Sequence, residues 1–184
     1  YGYTQTITIF SRYLIKNKIV LKDICPSIKL VIVTAEVCTN EDRNLIEKGF
    51  GVPVKDEYGA SEVGYLASEC DAGSWHIVDE NVFIEIGDDN KLLITDLFNK
   101  AEPFIRYSIG DLGEIKKPSA CSCGDHRSVL SKLTGRENDI IVLPNGEIAP
   151  GLTFYYISRS LLESFGGLKE FIIRQVEIDT FVFD

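Results

Sequence analysis

Residues 29–58 constrain the fold most. "KLVIV" (29–33) is a short apolar run rich in β-branched residues, which predicts a buried strand. "TNEDRNLIEKGFG" (39–51) follows. Thr39 can cap a helix whose third residue, Asp42, reaches back, and Gly49 is placed to end it. "VPVKDEY" (52–58) then predicts a second strand. Strand, helix and strand at this spacing form a βαβ unit, which demands parallel pairing and a right-handed crossover. The fold class is therefore α/β, at least here.

The flanking segments extend that reading. "TQTITIFSRYLIKN" (4–17) places Ile7, Phe10 and Leu14 at helical spacing. After Gly64 the pattern turns antiparallel. "NVFIEI" and "KLLITDL" flank "GDDN" as a hairpin, "PFIRYSIGDLGEIKK" and "VLSKLTGR" supply short strands, and "IIVLPNGEI" is a hairpin around Asn-Gly. "LTFYYISRSLLESF" (152–165) reads as an amphipathic helix closed by Gly166 and Gly167, and "EFIIRQVEIDTFVF" as one or two strands. A domain boundary is expected near residues 136–151.

Bulk properties exclude some functions. A net charge of −9 disfavours general nucleic-acid binding, which relies on Lys and Arg against phosphates. No apolar run approaches the roughly 20 residues of a membrane span, and no basic start precedes an apolar core. Five cysteines, an odd number, fit a reducing compartment such as the cytoplasm better than a disulfide framework. The sequence opens at Tyr1, contains no Met, and ends on "EIDTFVFD", which reads as a strand cut off mid-element. An excerpt of a longer protein is expected.

Some cysteines are spaced for metal binding. Cys70 and His76 lie six positions apart, and Cys121 and Cys123 form a Cys-x-Cys pair. Two Cys/His pairs on turns are how a closed tetrahedral zinc site is assembled, and four ligands leave no open position, so such a site is structural. His126 in "CSCGDH" is a rival to His76, and the plain alternative is scattered cysteines beside a surface histidine. Cys25 and Cys38 read as buried small residues.

The remaining candidates sit beside glycines. In "YGASEVG", Glu62 follows Tyr58 by four residues on a loop leaving a parallel strand, where α/β folds bind ligands. A carboxylate there can hold Mg(II) on phosphates, and an exposed Tyr could stack on a base. Asp111 in "IGDLG" suits a sugar diol, and Arg136 in "TGREND" suits phosphate or ribose. Singly, each is equally ordinary turn chemistry or a surface ion pair. No Walker loop, G-x-G-x-x-G, G-x-S-x-G or H-E-x-x-H is present, and with two histidines, both plausible metal ligands, a His-based hydrolase is disfavoured.

In order, "TAE" (34–36), "DEYGASEVG" (56–64), Cys70 and His76, "PFIRYSIGD" (103–111), "CSCG" (121–124), "LTGREND" (133–139) and "LPNGEIAP" (143–150) resemble the adenylate-forming (AMP-binding, ANL) ligases. The resemblance is to the phenylacetate–CoA ligase branch and its CapK-like, capsular-polysaccharide relatives. It implies the rear of a large AMP-binding domain over residues 1–137, a parallel βαβ followed by a small antiparallel region. Residues 138–184 would be the hinge and the beginning of a truncated α+β lid.

The resemblance also implies chemistry. Such enzymes join a carboxylate to ATP, giving acyl-AMP and pyrophosphate, and pass the acyl group to a thiol such as coenzyme A. Ala35 and Glu36 would line the adenine pocket, Tyr58 would stack on the base, Asp56 would meet its amine, and Gly59 would be among the nucleotide-binding residues. Glu62 would ligate Mg(II), Asp111 would hold the ribose, and Arg136 would bind ribose or the α-phosphate. Cys70, His76, Cys121 and Cys123 would hold structural zinc, favouring His76 over His126. The family's upstream phosphate loop and the lid's catalytic lysine are absent, and Asn138 stands where the hinge is often Asp. The excerpt alone is thus expected to be inactive. The alternative is a zinc-stabilised nucleotide-binding or scaffold protein that kept the fold without the chemistry. No motif bears on oligomeric state or on the carboxylate.

Overall fold

The computed structural model describes residues 1–116, 121–137, 140–150, 154 and 172–183. They fall into two compact units. The first comprises 1–85, 94–107 and 115–131, and the second 86–93, 108–114 and 132–184.

The first unit starts with β1 (Gly2–Tyr3), α1 (Thr4–Lys16), α2 (Leu21–Ile24), β2 (Val31–Thr34), α3 (Asn40–Phe50) and β3 (Val54–Ala60). β2 pairs in parallel with both β1 and β3, with Val31 opposite Val54 and Thr34 opposite Glu57. The expected βαβ unit is present, and α1 supplies a second crossover. Thr39 caps α3 as expected. Its hydroxyl accepts from the Asp42 N–H at 3.0 Å while the Asp42 carboxylate accepts from the Thr39 N–H at 3.2 Å.

The end of α3 differs from expectation. The helix runs through Gly49 and closes at Gly51, whose φ of 72° is left-handed. Gly49 instead lies where α1 crosses α3: a Cβ there would meet the Ser11 backbone at 3.1 Å. That contact also resets the inner face of α1, which is Thr4, Ile7, Thr8, Ser11 and Leu14. Small and apolar side chains let the helices approach closely, so Phe10 is displaced to the rim. It stays 43% exposed, edge-on to Phe50. The core beneath joins Ile7 and Leu14 to Val31, Val33, Ile46, Phe50, Val52 and Val54.

Past β3 the chain reverses into β4 (Gly64–Glu69) and β5 (Trp75–Ile77), both antiparallel, and β5 pairs with β9 (Val129–Arg136) through His76 opposite Val129. The order in this unit is β1-β2-β3-β4-β5-β9. β6 (Val82–Ile86), β7 (Lys91–Asp96), β8 (Tyr107–Lys116) and β9 carry residues of both units, in the order β9-β8-β7-β6. The parallel-then-antiparallel organisation read from the sequence is the one observed.

Within the second unit, β10 (Ile140–Val142) and β11 (Ile148–Pro150) form a hairpin whose Gly146 has φ 83°. β12 (Ile173–Glu177) and β13 (Thr180–Phe183) form another, so the last segment is two strands. The Gln175 amide joins the hairpins: its Nε2 donates to the Val142 carbonyl at 2.7 Å, and its Oε1 accepts from the Val142 N–H at 3.0 Å. The expected helix 152–165 and hinge Asn138 lie outside the described residues, apart from Phe154, whose ring packs on Phe181 and Phe183. Among the described residues no helix is long and apolar enough to cross a membrane.

Candidate functional site

β3 carries the first group of candidates. Val54, Asp56 and Tyr58 alternate onto its buried face. Tyr58 is therefore not exposed: its ring is 6% accessible and lies 6.4 Å from Trp75, centroid to centroid. Asp56 is also buried. Its Oδ1 accepts from the Glu57 N–H at 2.9 Å, and its own N–H donates to Glu69 at 3.1 Å. Loss of solvent raises the Asp56 carboxyl to about 7, the Glu57 N–H opposes this, and the neighbouring Glu69 adds to it. Arg43 pairs with Glu69 at 2.7 Å and donates to the Val54 carbonyl.

β3 then turns sharply. A Cβ on Gly59 would sit 2.6 Å from the Gly64 carbonyl oxygen, and Gly64 has φ 71°, so both ends of the turn need glycine. The turn presents Glu62 to solvent, with the Tyr107 hydroxyl donating to its carboxylate at 3.4 Å.

The "TAE" segment ends β2. Exposed Ala35 has φ 65°, a conformation costly for a residue with a Cβ. It turns Glu36 back onto α1, where the carboxylate accepts from the Gln5 N–H at 2.7 Å and the Glu36 carbonyl accepts from the Thr4 hydroxyl. Glu36 thus sits at the positive end of α1.

Asp111 and Arg136 lie together in the second unit. Arg136 Nη1 is 3.9 Å from Asp111 Oδ1, and Nη2 donates to the Ile109 carbonyl at 3.1 Å. Gly110, at φ 81°, makes this room, since a Cβ there would stand 3.3 Å from Nη2. The Arg136 side chain stays 63% exposed.

In the first unit Cys70, His76, Cys121 and Cys123 converge, one ligand atom of each lying within 4.8 Å of all the others. Cys70 Sγ is 3.9 Å from Cys121 Sγ, and Cys123 Sγ is 3.4 Å from His76 Nε2. Bond lengths of about 2.3 Å for Zn–S and 2.0 Å for Zn–N give tetrahedral edges of roughly 3.5–3.8 Å. The donor set therefore fits a single tetrahedral ion. Two turns hold it. Gly73, at φ 75°, closes the Cys70 turn, and Gly124, at φ 87°, closes the Cys121 turn. The Cys123 N–H, with help from the His76, Cys123 and Ser74 side chains, lowers the Cys121 thiol to about 6, which favours the thiolate a metal needs. His126 is not in the group.

Cys25 is exposed, against expectation. It follows the short α2 and opens the turn that ends at Ile28, so its side chain faces solvent beside Ser27. Cys38 is half-buried against the core, and burial raises its thiol to about 11. Sequence reasoning missed Tyr107 and Asp125. Asp125 had a signal, two residues past Cys123, but an Asp after Gly reads as turn chemistry.

No family model matches the chain. It is 28% identical over 173 residues to the protein CapK of Staphylococcus aureus, covering 89% of this chain and 37% of that one. It is 30% identical over 139 residues to the phenylacetate–coenzyme A ligase of Aromatoleum evansii, covering 67% of this chain and 31% of that one. The chain thus spans about a third of the length of the curated relatives it matches. A 2-hydroxyisobutyryl-CoA ligase solved in its postadenylation state matches the fold with a TM-score of 0.74 at 18% identity, over all of this chain and 42% of that one. Together with the ordered motifs and the shared fold, these relatives show that the chain belongs to the adenylate-forming ligases, in the phenylacetate–CoA ligase and CapK-like branch.

Proposed function

We propose that this chain is part of an ATP-dependent ligase that activates a carboxylate as acyl-AMP and passes it to a thiol such as coenzyme A, in the cytoplasm. The observation that carries the reading is the turn of Gly59 and Gly64, which holds Glu62 out to solvent directly after a parallel strand. Glu62 is the group that would ligate Mg(II), which offsets charge as pyrophosphate leaves. Asp111 would take the ribose hydroxyls, and Arg136, exposed and donor-rich, the ribose or α-phosphate.

Ala35, Glu36, Asp56, Tyr58 and Gly59 would form the adenine side. Buried Tyr58 would present an edge there. Asp56, with its carboxyl near neutral, would meet the exocyclic amine. Residues 1–137 would belong to the large domain and 138–184 to the hinge and lid, so this chain by itself would be inactive.

The four Cys/His groups fit zinc, and its role would be structural, since their donors complete its shell. A link to capsular polysaccharide synthesis would rest on the resemblance to the CapK-like relatives alone.

The test uses the full-length parent. Pyrophosphate release is measured with ATP, Mg(II) and a panel of aryl, fatty and hydroxy acids. Release above background with at least one acid, lost in Glu62→Gln, supports the reading. Background release throughout, with no ATP binding by calorimetry, overturns it.

A further inference from the structure

His76 is 1% exposed, and its Nδ1 is buried without a hydrogen-bond partner among the described residues, while Nε2 faces Cys123. A buried imidazole N–H left unpaired costs roughly 1–3 kcal/mol. One carboxylate is aimed at it: Asp125 Oδ1 lies 3.8 Å from His76 Nδ1. That is about 1 Å beyond a charge-assisted hydrogen bond.

Asp125 is not placed there by chance contact. Arg127 holds it with a fork, Nη2 to Oδ2 at 2.7 Å and Nε to Oδ2 at 3.0 Å and to Oδ1 at 3.2 Å. The Arg127 N–H also donates to Oδ1 at 2.9 Å. Arg127 is oriented in turn by Glu80, 3.6 Å from Nη1. These contacts set the Asp125 carboxylate against a guanidinium and fix its plane. A rigid anion facing the distal nitrogen of a candidate ligand histidine is the arrangement that selects a tautomer.

We infer that Asp125, held by Arg127, is the positioning residue of the Cys/His centre: it accepts the His76 Nδ1–H and thereby fixes Nε2 as the metal-ligating nitrogen. The inference rests on the zinc reading above. Its consequence is affinity. Outer partners of ligand histidines are worth 10–100-fold in metal binding. Asp125 is not among the four candidate ligands, and the loop carrying it also bears two of them, Cys121 and Cys123. A merely structural role must therefore be separated from tautomer control.

The experiment uses the full-length parent, loaded with zinc, with affinity measured against a competing chelator at fixed pH. The variants are Asp125→Ala, Asp125→Asn and Asp125→Glu. The second readout is a long-range proton–nitrogen NMR spectrum of the His76 ring. The expected wild-type pattern is a metal-shifted Nε2 and a protonated, slowly exchanging Nδ1. Asp125→Ala should weaken zinc by 10–100-fold and abolish slow exchange at Nδ1–H. Asp125→Asn, which keeps an acceptor, and Asp125→Glu, which keeps the charge, should each recover part of both.

Wild-type protein that binds zinc with Nε2 as ligand, alongside variants within twofold of its affinity and with Nδ1–H still protected, overturns the role of Asp125 and leaves the zinc site standing. Ligation through Nδ1 overturns it equally. A folded wild-type protein that binds no zinc overturns both.

Discussion

The Cβ position of Gly59 lies 2.6 Å from the carbonyl oxygen of Gly64, and this contact shapes the turn that carries Glu62. Backbone meets backbone there, so no side-chain rotation can relieve an added methyl. Gly59→Ala should destabilise the chain by about 1–3 kcal/mol, as overpacking does. At Gly64 nothing lies within 4 Å, and only φ opposes a side chain. Gly64→Ala should cost about 1 kcal/mol, and Gly64→Asn less, since Asn tolerates that region. Urea unfolding of the three variants checks the order. Equal losses at both positions would contradict the close approach.

The α3 capping box gives a second comparison. Thr39→Ala removes the acceptor for the Asp42 N–H and should cost about 1–2 kcal/mol. Asp42→Ala should cost more. Asp42 is 1% exposed, and its carboxylate also accepts from the Thr8 hydroxyl of α1 at 3.2 Å. The cap therefore ties two helices together. Thermal unfolding of both variants, with Glu41→Ala at the same exposed helix start as control, measures the difference.

The α3 cap was legible because it is local: Thr39 and Asp42 meet within one turn. The first parallel strand was legible from "KLVIV" as an apolar, β-branched run, and the second, "VPVKDEY", from the valines that open it after the glycine closing α3. What the sequence did not show depends on distant partners. Gly49 read as a helix end until Ser11 of α1 was found against it, and Phe10 read as core until Gly49 and Ser11 took the centre of that contact. Tyr58 read as exposed because its neighbours are glycine and polar residues, yet strand alternation turns it toward Trp75. The four Cys/His groups were legible as types, and the resemblance favoured His76 over His126; what the residues alone left open is the strand pairing, β5 on β9, that holds His76 there.

Removing the metal should loosen the region those strands hold. On the proposed reading, folded protein contains about one equivalent of zinc, and a strong chelator lowers the unfolding temperature, because site formation and folding are coupled. Cys123→Ser should lose most of the zinc. Cys25→Ser should keep it, since Cys25 is exposed and lies outside the cluster. Elemental analysis and thermal unfolding of both variants separate the centre from general thiol effects.

Asp56 sets a pH dependence of definite sign. Burial raises its carboxyl to about 7 in the folded chain, against about 4 when unfolded. Between those values the folded state holds the proton and the unfolded state does not. Stability from this group is therefore full below about pH 4, falls as pH rises, and levels off above about 7. The loss is on the order of 4 kcal/mol. Asp56→Asn removes the titration while keeping the shape and an oxygen to accept from the Glu57 N–H. Wild type minus variant should thus grow more negative from pH 5 to pH 8, and other titrations cancel in that difference. Urea unfolding of both proteins at the two pH values measures it. A flat difference would mean that the Glu57 N–H and Arg43 keep the Asp56 carboxylate ionised across the range, and the near-neutral group proposed to face the nucleotide amine would be lost with it.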